Sequence, residues 1–232
     1  MTARFFCEKI NRKLKNENSF VVLQTLSETM DVKTKVLSRA AELYLQIGIR
    51  NVTMDFLAAD LGMSKRTIYE FFGQKDALVI ETLHFMIRME NEETIRLIES
   101  AENVVEALYL IIKRKKELRG THPVVFLEDV KRYIPQLLES LFLHEDDLRQ
   151  NSPSYLLLER GIKEGIFRKS LDLKLVDSFL QELITVMHTS QRIVLLKAEG
   201  HQLLENIFIP YFRGICTQKG INLMNDFFNL EE

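Results

Sequence analysis

The sequence predicts an all-α fold, and three observations carry that expectation. Nearly every segment places its apolar residues at helical period, and no stretch combines sustained alternation with the turn dipeptides of hairpins. Only 4 prolines occur in 232 residues, while 46% of residues are hydrophobic, enough to bury a substantial core in one or two domains. No segment repeats at a fixed spacing, which argues against a solenoid.

Composition narrows the class further. No apolar run approaches the ~18 residues of a membrane span, and the N-terminus lacks an apolar segment leading to a small-residue cleavage site, so a soluble cytoplasmic protein without membrane association is expected. Cys7 and Cys216 lie near opposite ends of the chain. They are read as ordinary thiols, with no disulfide framework, metal or cofactor expected. The net charge of -2 hides an asymmetry: residues 1–75 carry 12 Lys and Arg against 8 Asp and Glu, the remainder 19 against 25. A basic N-terminal third on an acidic body fits a small nucleic-acid module joined to a larger domain.

Residues 1–30 match nothing that follows and are read as a poorly ordered N-terminal extension, or the product of an upstream start. The first helix is placed from Val32, with Val36, Ala40, Leu43 and Ile47 on one stripe and Gly48 as its stop. Thr53 caps the second helix, MDFLAADL, in which Phe56, Leu57, Ala59 and Leu61 are expected to face inward and Asp55 sits where the macrodipole favours an anion. After Gly62, Ser64 caps a third helix, KRTIYEFF, stopped by Gly73. A fourth runs from Asp76 to about Ile98, and a fifth from Asn103 to Leu118 with cations suited to its end. Pro123 fits the first turn of a sixth, and Pro135 kinks or ends it. Pro153 to Lys163 is a seventh, closed by Gly161 and Gly165. Leu173 to Leu196 and Leu203 to Ile215 complete the set, each apolar on more than one face.

Short helix, glycine turn and short capped helix form a helix-turn-helix over residues 53–72. In such a unit the second helix enters the major groove amino end first, so its first turns must present polar donors to base edges and phosphates. Lys65, Arg66, Thr67 and Tyr69 are those donors here. Ile68 and Phe72, four residues apart, point the other way and should pin the helix to Phe56, Leu57 and the first helix.

From Val32 to Leu83 the chain resembles the DNA-binding domain of the TetR (tetracycline repressor) family of bacterial regulators. The resemblance rests on Ala40, Leu43 and Gly48, the cap Thr53 with Ala58 and Ala59, the turn of Leu61, Gly62 and Ser64, the run Thr67 to Phe72, and Lys75 with Leu78. It implies a DNA-binding domain over 31–78 and a helical effector-binding and dimerisation domain over 79–232. It also implies a homodimer on a palindromic double-stranded operator and a repressor released by a small apolar or amphipathic effector. Thr53 and Lys75 would hold phosphates at either end of the reading helix, Tyr69 would add a phosphate or base contact, and Ser64, Lys65, Arg66 and Thr67 would lie at the groove. The long side chain of Arg66 could reach a guanine or only a phosphate. Glu70, acidic where phosphates should be near, is expected to turn sideways to a cation or to disfavour some sequences.

In the second domain, Leu173, Leu175, Val176, Phe179, Leu180, Leu183, Ile184 and Met187 make a stripe too wide for one buried face, to which Ile207, Phe208, Tyr211, Phe212 and Ile215 add another. Phe85, Met86, Met89, Tyr109, Phe126, Tyr155 and Met187 are candidates for an effector pocket, although such residues at helical spacing more often form core. A di-iron enzyme would need two Glu-x-x-His pairs and two further glutamates. Glu81 to His84 supplies one such pair, while His122, His144, His188 and His201 supply none; no catalytic residues are expected. A helical adaptor that binds other proteins without binding DNA is the rival reading, and it leaves the N-terminal motif unexplained.

Overall fold

The computed structural model describes residues 17–117, 124–133, 135–137, 152–189, 202 and 204–228, and of these the side chains of all but 17–30, 124, 127, 187–189 and 204. Cys7, Pro123, Leu203, and the expected helical stretch beyond Thr189 lie outside them. The chain divides into two compact units, Met1–Thr82 and Leu83–Glu232.

In the first unit, α1 spans Glu17–Ile47. It begins well before Val32 because no glycine or proline occurs between residues 17 and 47 to interrupt it. Val36, Ala40, Leu43 and Tyr44 form its buried stripe, whereas Ile47, expected on that stripe, is 37% exposed. The helix stops at Ile47, Gly48 turns the chain at a φ of 85°, and Ile49 and Val52 are buried in the turn that follows. Next come α2, Met54–Leu61, and α3, Lys65–Phe72. In α2 the inward residues are Met54, Leu57 and Ala58, while Phe56 and Ala59 face out. The reason is period: 54, 57, 58 and 61 lie on one stripe of a 3.6-residue turn, and 56 and 59 do not. Leu57, not Phe56, therefore joins Ile68, Phe72 and Tyr44 in the core. Helix α4 then runs Lys75–Ser100, with Leu78, Val79 and Thr82 buried in its first two turns.

The second unit contains α5 (Val104–Glu117), α6 (Val124–Lys131), α7 (Pro153–Lys163) and α8 (Leu173–Thr189). A π-helical turn, Leu204–Phe208, leads into α9 (Ile209–Ile215), and α10 (Gln218–Phe228) follows. The π turn sits beside Pro210, which has no amide hydrogen for the carbonyl four residues earlier. Helix α10 was not among the expected elements. Its signal is a cap at Thr217, whose hydroxyl accepts from the Gly220 amide at 3.3 Å.

The core of this unit gathers Leu108, Ile112, Leu157, Leu158, Leu180, Phe208, Phe212 and Met224 around Phe167. Phe167 is fully buried and stacks on Phe212 at 5.9 Å. That ring explains Gly161, which lies inside α7 and does not close it: a Cβ there would sit 2.2 Å from Phe167 Cδ2. The turn out of the helix belongs to Gly165, at a φ of 70°. Arg160 and Glu164 join three helices. The Arg160 guanidinium donates to the carbonyls of Ile98 and, at 2.7 Å, Ala101, at the end of α4, while Glu164 accepts from the first amide of α5, Val104, at 2.9 Å. Cation at a carboxyl end and anion at an amino end are the dipole-favoured arrangement. Likewise Asp177 of α8, 2% exposed, accepts from Ser154 at 2.5 Å beside the amino end of α7.

Candidate nucleic-acid interface

Residues 53–73 build a surface from local rules. Thr53 Oγ1 accepts from the Phe56 amide at 3.0 Å and starts α2. Gly62, left-handed at a φ of 65°, ends it, with the Gly62 amide bonded to the Ala59 carbonyl at 3.2 Å and the Met63 amide to Ala58 at 2.9 Å. One residue later Ser64 Oγ accepts from the Thr67 amide at 3.1 Å and lies 2.8 Å from the Thr67 hydroxyl. Gly73 closes α3 at a φ of 68°. Each cap and stop of these two helices falls at the residue expected from the sequence.

Burial then divides α3 by face. Ile68 is fully buried and Phe72 5% exposed, whereas Lys65, Arg66, Tyr69 and Glu70 are exposed and Thr67 is half-buried. At about 100° per residue, the direction opposite the Ile68 and Phe72 pair is that of Glu70, with Arg66 next to it. Lys65 is turned toward α2: its Nζ donates to Asp55 at 2.7 Å and stands 5.8 Å from the Tyr69 ring. The Asp55 carboxylate raises its pKa. Arg66 Nε donates to Glu70 Oε1 at 2.9 Å. Glu70 thus pairs with a cation, as expected, but points away from the core and not sideways. Lys75 Nζ donates to the Arg50 carbonyl at 3.1 Å, and the turn carrying Arg50 also leads to Thr53.

Three residues that hold this surface, Asp55, Arg50 and Arg39, are not assigned that role by the sequence pattern. The sequence marks Asp55 only as a dipole partner, because its ten-residue separation from Lys65 is a contact across the turn that no helical spacing reveals. Arg50, exposed, sits in a short turn without a motif of its own. The surface is attached to α1 by Arg39, whose guanidinium donates to Asp60 at 2.6 and 2.9 Å and to Glu42 at 2.6 Å. The bonds from Arg39 hold the Asp60 carboxyl below its ordinary value.

The pocket candidates divide between surface and core. Met89 is 44% and Tyr109 38% exposed, and Tyr109 packs against Phe227 and Phe228 of α10 with centroids 6.0 Å away. Phe126 is buried, Phe85, Met86 and Tyr155 are half-buried, and the Met187 side chain lies outside the described residues. On α8, Leu175 is 69%, Phe179 49% and Val186 44% exposed, and these three fall on one stripe at helical period, so this helix presents an apolar face to its surroundings, while Ile184, 38% exposed, lies on the opposite side. Among the described residues no cluster of three or more metal-ligating side chains occurs, and no helix is long and apolar enough to cross a membrane.

Residues 36–82 match the family model described as bacterial regulatory proteins, tetR family. A curated relative, the HTH-type transcriptional repressor KstR2 of Mycobacterium tuberculosis, is 24% identical over 150 residues, covering 64% of this chain and 75% of that protein. Among solved structures, a TetR-family transcriptional regulator from Pectobacterium atrosepticum is similar with a TM-score of 0.58 at 16% identity, covering 83% of this chain and 97% of the other. The transcriptional regulator FadR of Bacillus subtilis, in complex with stearoyl-CoA, is similar with a TM-score of 0.53 at 18% identity, over 77% of this chain and 96% of its own.

Proposed function

We propose, on the premise that this chain belongs to the TetR family of bacterial regulators, that it is a sequence-specific repressor of transcription whose hold on its operator is relieved by a small effector. The observation that carries the reading is α3: a serine-capped helix with Ile68 and Phe72 in the core and Lys65, Arg66 and Tyr69 on the outside. Such a helix meets the requirement of a major-groove reader, a rigid apolar back and a donor-rich front. Thr53, Ser64, Lys65, Arg66, Thr67, Tyr69 and Lys75 are the proposed DNA contacts, Thr53 and Lys75 to phosphates at either end.

The exposed apolar residues Leu175, Phe179 and Val186, on one stripe of the helix, support a homodimer through α8. Its twofold axis would set two reading helices about one DNA turn, ~34 Å, or more apart on a palindromic site. The body is proposed to bind an apolar or amphipathic molecule. The stearoyl-CoA complex of FadR, an amphipathic ligand on a similar fold, supports that class. Helix α4, continuous from Lys75 to Ser100 across the boundary at Thr82, is the proposed coupling element. A coupling of ~1–3 kcal/mol between effector and operator would change affinity 5- to 150-fold. The protein acts in the cytoplasm, without catalysis, where the chromosome lies.

Mobility-shift binding to DNA upstream of the chain's own gene tests the reading. Retardation at low salt that weakens steeply as salt rises is the expected result. No retardation at low salt would refute DNA binding, and operator affinity that no bound effector alters would refute the ligand half.

A further inference from the structure

The side chains of Arg66 and Glu70 form an ion pair that helix energetics do not account for. Arg66 lies in the first turn of α3, where the dipole disfavours a cation, and Glu70 in the last, where it disfavours an anion. A cation four residues before an anion is also the weaker order for a helical pair. The pair is open to solvent, with side chains 88% and 61% exposed, so it contributes little to the fold. Yet it occupies the direction opposite the buried Ile68 and Phe72, the most outward position the helix offers. Of the cations on α3, Lys65 is bent back onto Asp55, which leaves Arg66 as the one pointing away from the core.

We infer that Glu70 is a positioning residue for base recognition by Arg66, a role that rests on α3 being the reading helix. Glu70 accepts from Nε at 2.9 Å. That bond restrains the guanidinium through Nε and leaves the terminal Nη groups of this 88% exposed side chain to donate in bidentate fashion to O6 and N7 of guanine. Without Glu70 the side chain swings through many rotamers and meets phosphates as readily as bases. Glu70 therefore exchanges some nonspecific attraction for discrimination at one base pair of each half-site.

Selecting duplexes from a random-sequence pool with the full chain identifies the preferred half-site. Affinities for its single-base-pair variants are then measured at one salt concentration for the unaltered protein, Arg66→Ala, Glu70→Ala and Glu70→Gln. Arg66→Ala is expected to abolish a guanine preference of roughly 5- to 150-fold at one position. Glu70→Ala should erode the preference at that same position several-fold, whereas Glu70→Gln, whose amide oxygen still accepts from Nε, should retain it. Uniformly stronger binding to all sequences by both Glu70 variants, with the guanine preference intact, would show a merely repulsive charge and overturn the inference. Failure of the unaltered chain to select any sequence at low salt would instead overturn the regulator reading beneath it.

Discussion

In the Met1–Thr82 unit, the ends of α2 and α3 are set by their near neighbours: Thr53 caps Phe56, Ser64 caps Thr67, and Gly62 and Gly73 turn the chain where each helix stops. In the Leu83–Glu232 unit, the end of α4 and the start of α5 are held by Arg160 and Glu164, partners about 60 residues distant in sequence. The contrast teaches which parts of the molecule can vary independently. A locally capped helix keeps its shape when its outer side chains change, so α3 can alter its reading face without losing its seat. The body is a network in which one residue commonly holds several elements.

The sharpest way to break the comparison is to remove the seat of α3 while leaving its face unchanged. Ile68→Ala empties a fully buried position and is expected to cost ~2–5 kcal/mol, measured by denaturant unfolding, with loss of DNA retardation although every proposed contact residue remains. A variant that retains both stability and retardation would show that local capping alone fixes the helix.

Gly161→Ala is the corresponding test of the body. A methyl 2.2 Å from the Phe167 ring has nowhere to go, since that ring is fully buried and stacked on Phe212. Overpacking of this kind costs ~1–3 kcal/mol. Hydrogen exchange should show the loss of protection spreading through α7, α8 and α9, where a merely local defect would stay near residue 161.

The smallest expected effect concerns pH. Hydrogen bonds from Arg39 depress the Asp60 carboxyl below its ordinary value of 3.8. A depressed folded-state pKa stabilises in full above the unfolded value and loses that contribution as pH falls toward the folded one. The Tm advantage of the unaltered chain over Asp60→Asn should therefore be steady near neutrality and narrow once pH drops below 3.8. A gap that stays constant down to pH 3 would show that the Arg39 contact is not ionic in effect.

Legibility followed the same division. The borders of α2, α3 and α7 match the sequence reading because each has a Ser or Thr cap within three residues of the amide it serves, and Pro153 sits where a first turn tolerates it. Phe56 is expected inside by hydrophobicity and lies outside by period, because an eight-residue helix is too short to average out a single apolar outlier. Helix α10 lies beyond the expected elements although Thr217 marks its start, and Gly220 in its first turn weakens the helical signal there. In the candidate interface the residue types are legible, and helical period alone places Arg66 opposite Ile68 and Phe72; the pairing of Lys65 with Asp55 is not legible, because the two are ten residues apart across the turn.

The amino-acid sequence by itself determined the helical class, the two short helices of the turn motif and the polar character of the α3 face, since helical period, cap chemistry and left-handed glycines are properties of a few consecutive residues. Tertiary structure alone decided that Lys65 bends to Asp55, that Gly161 makes room for Phe167, and that Arg160 with Glu164 joins α4, α5 and α7. These depend on contacts across turns and between helices, which cap chemistry and helical period do not set, and such contacts come into being only when the core closes.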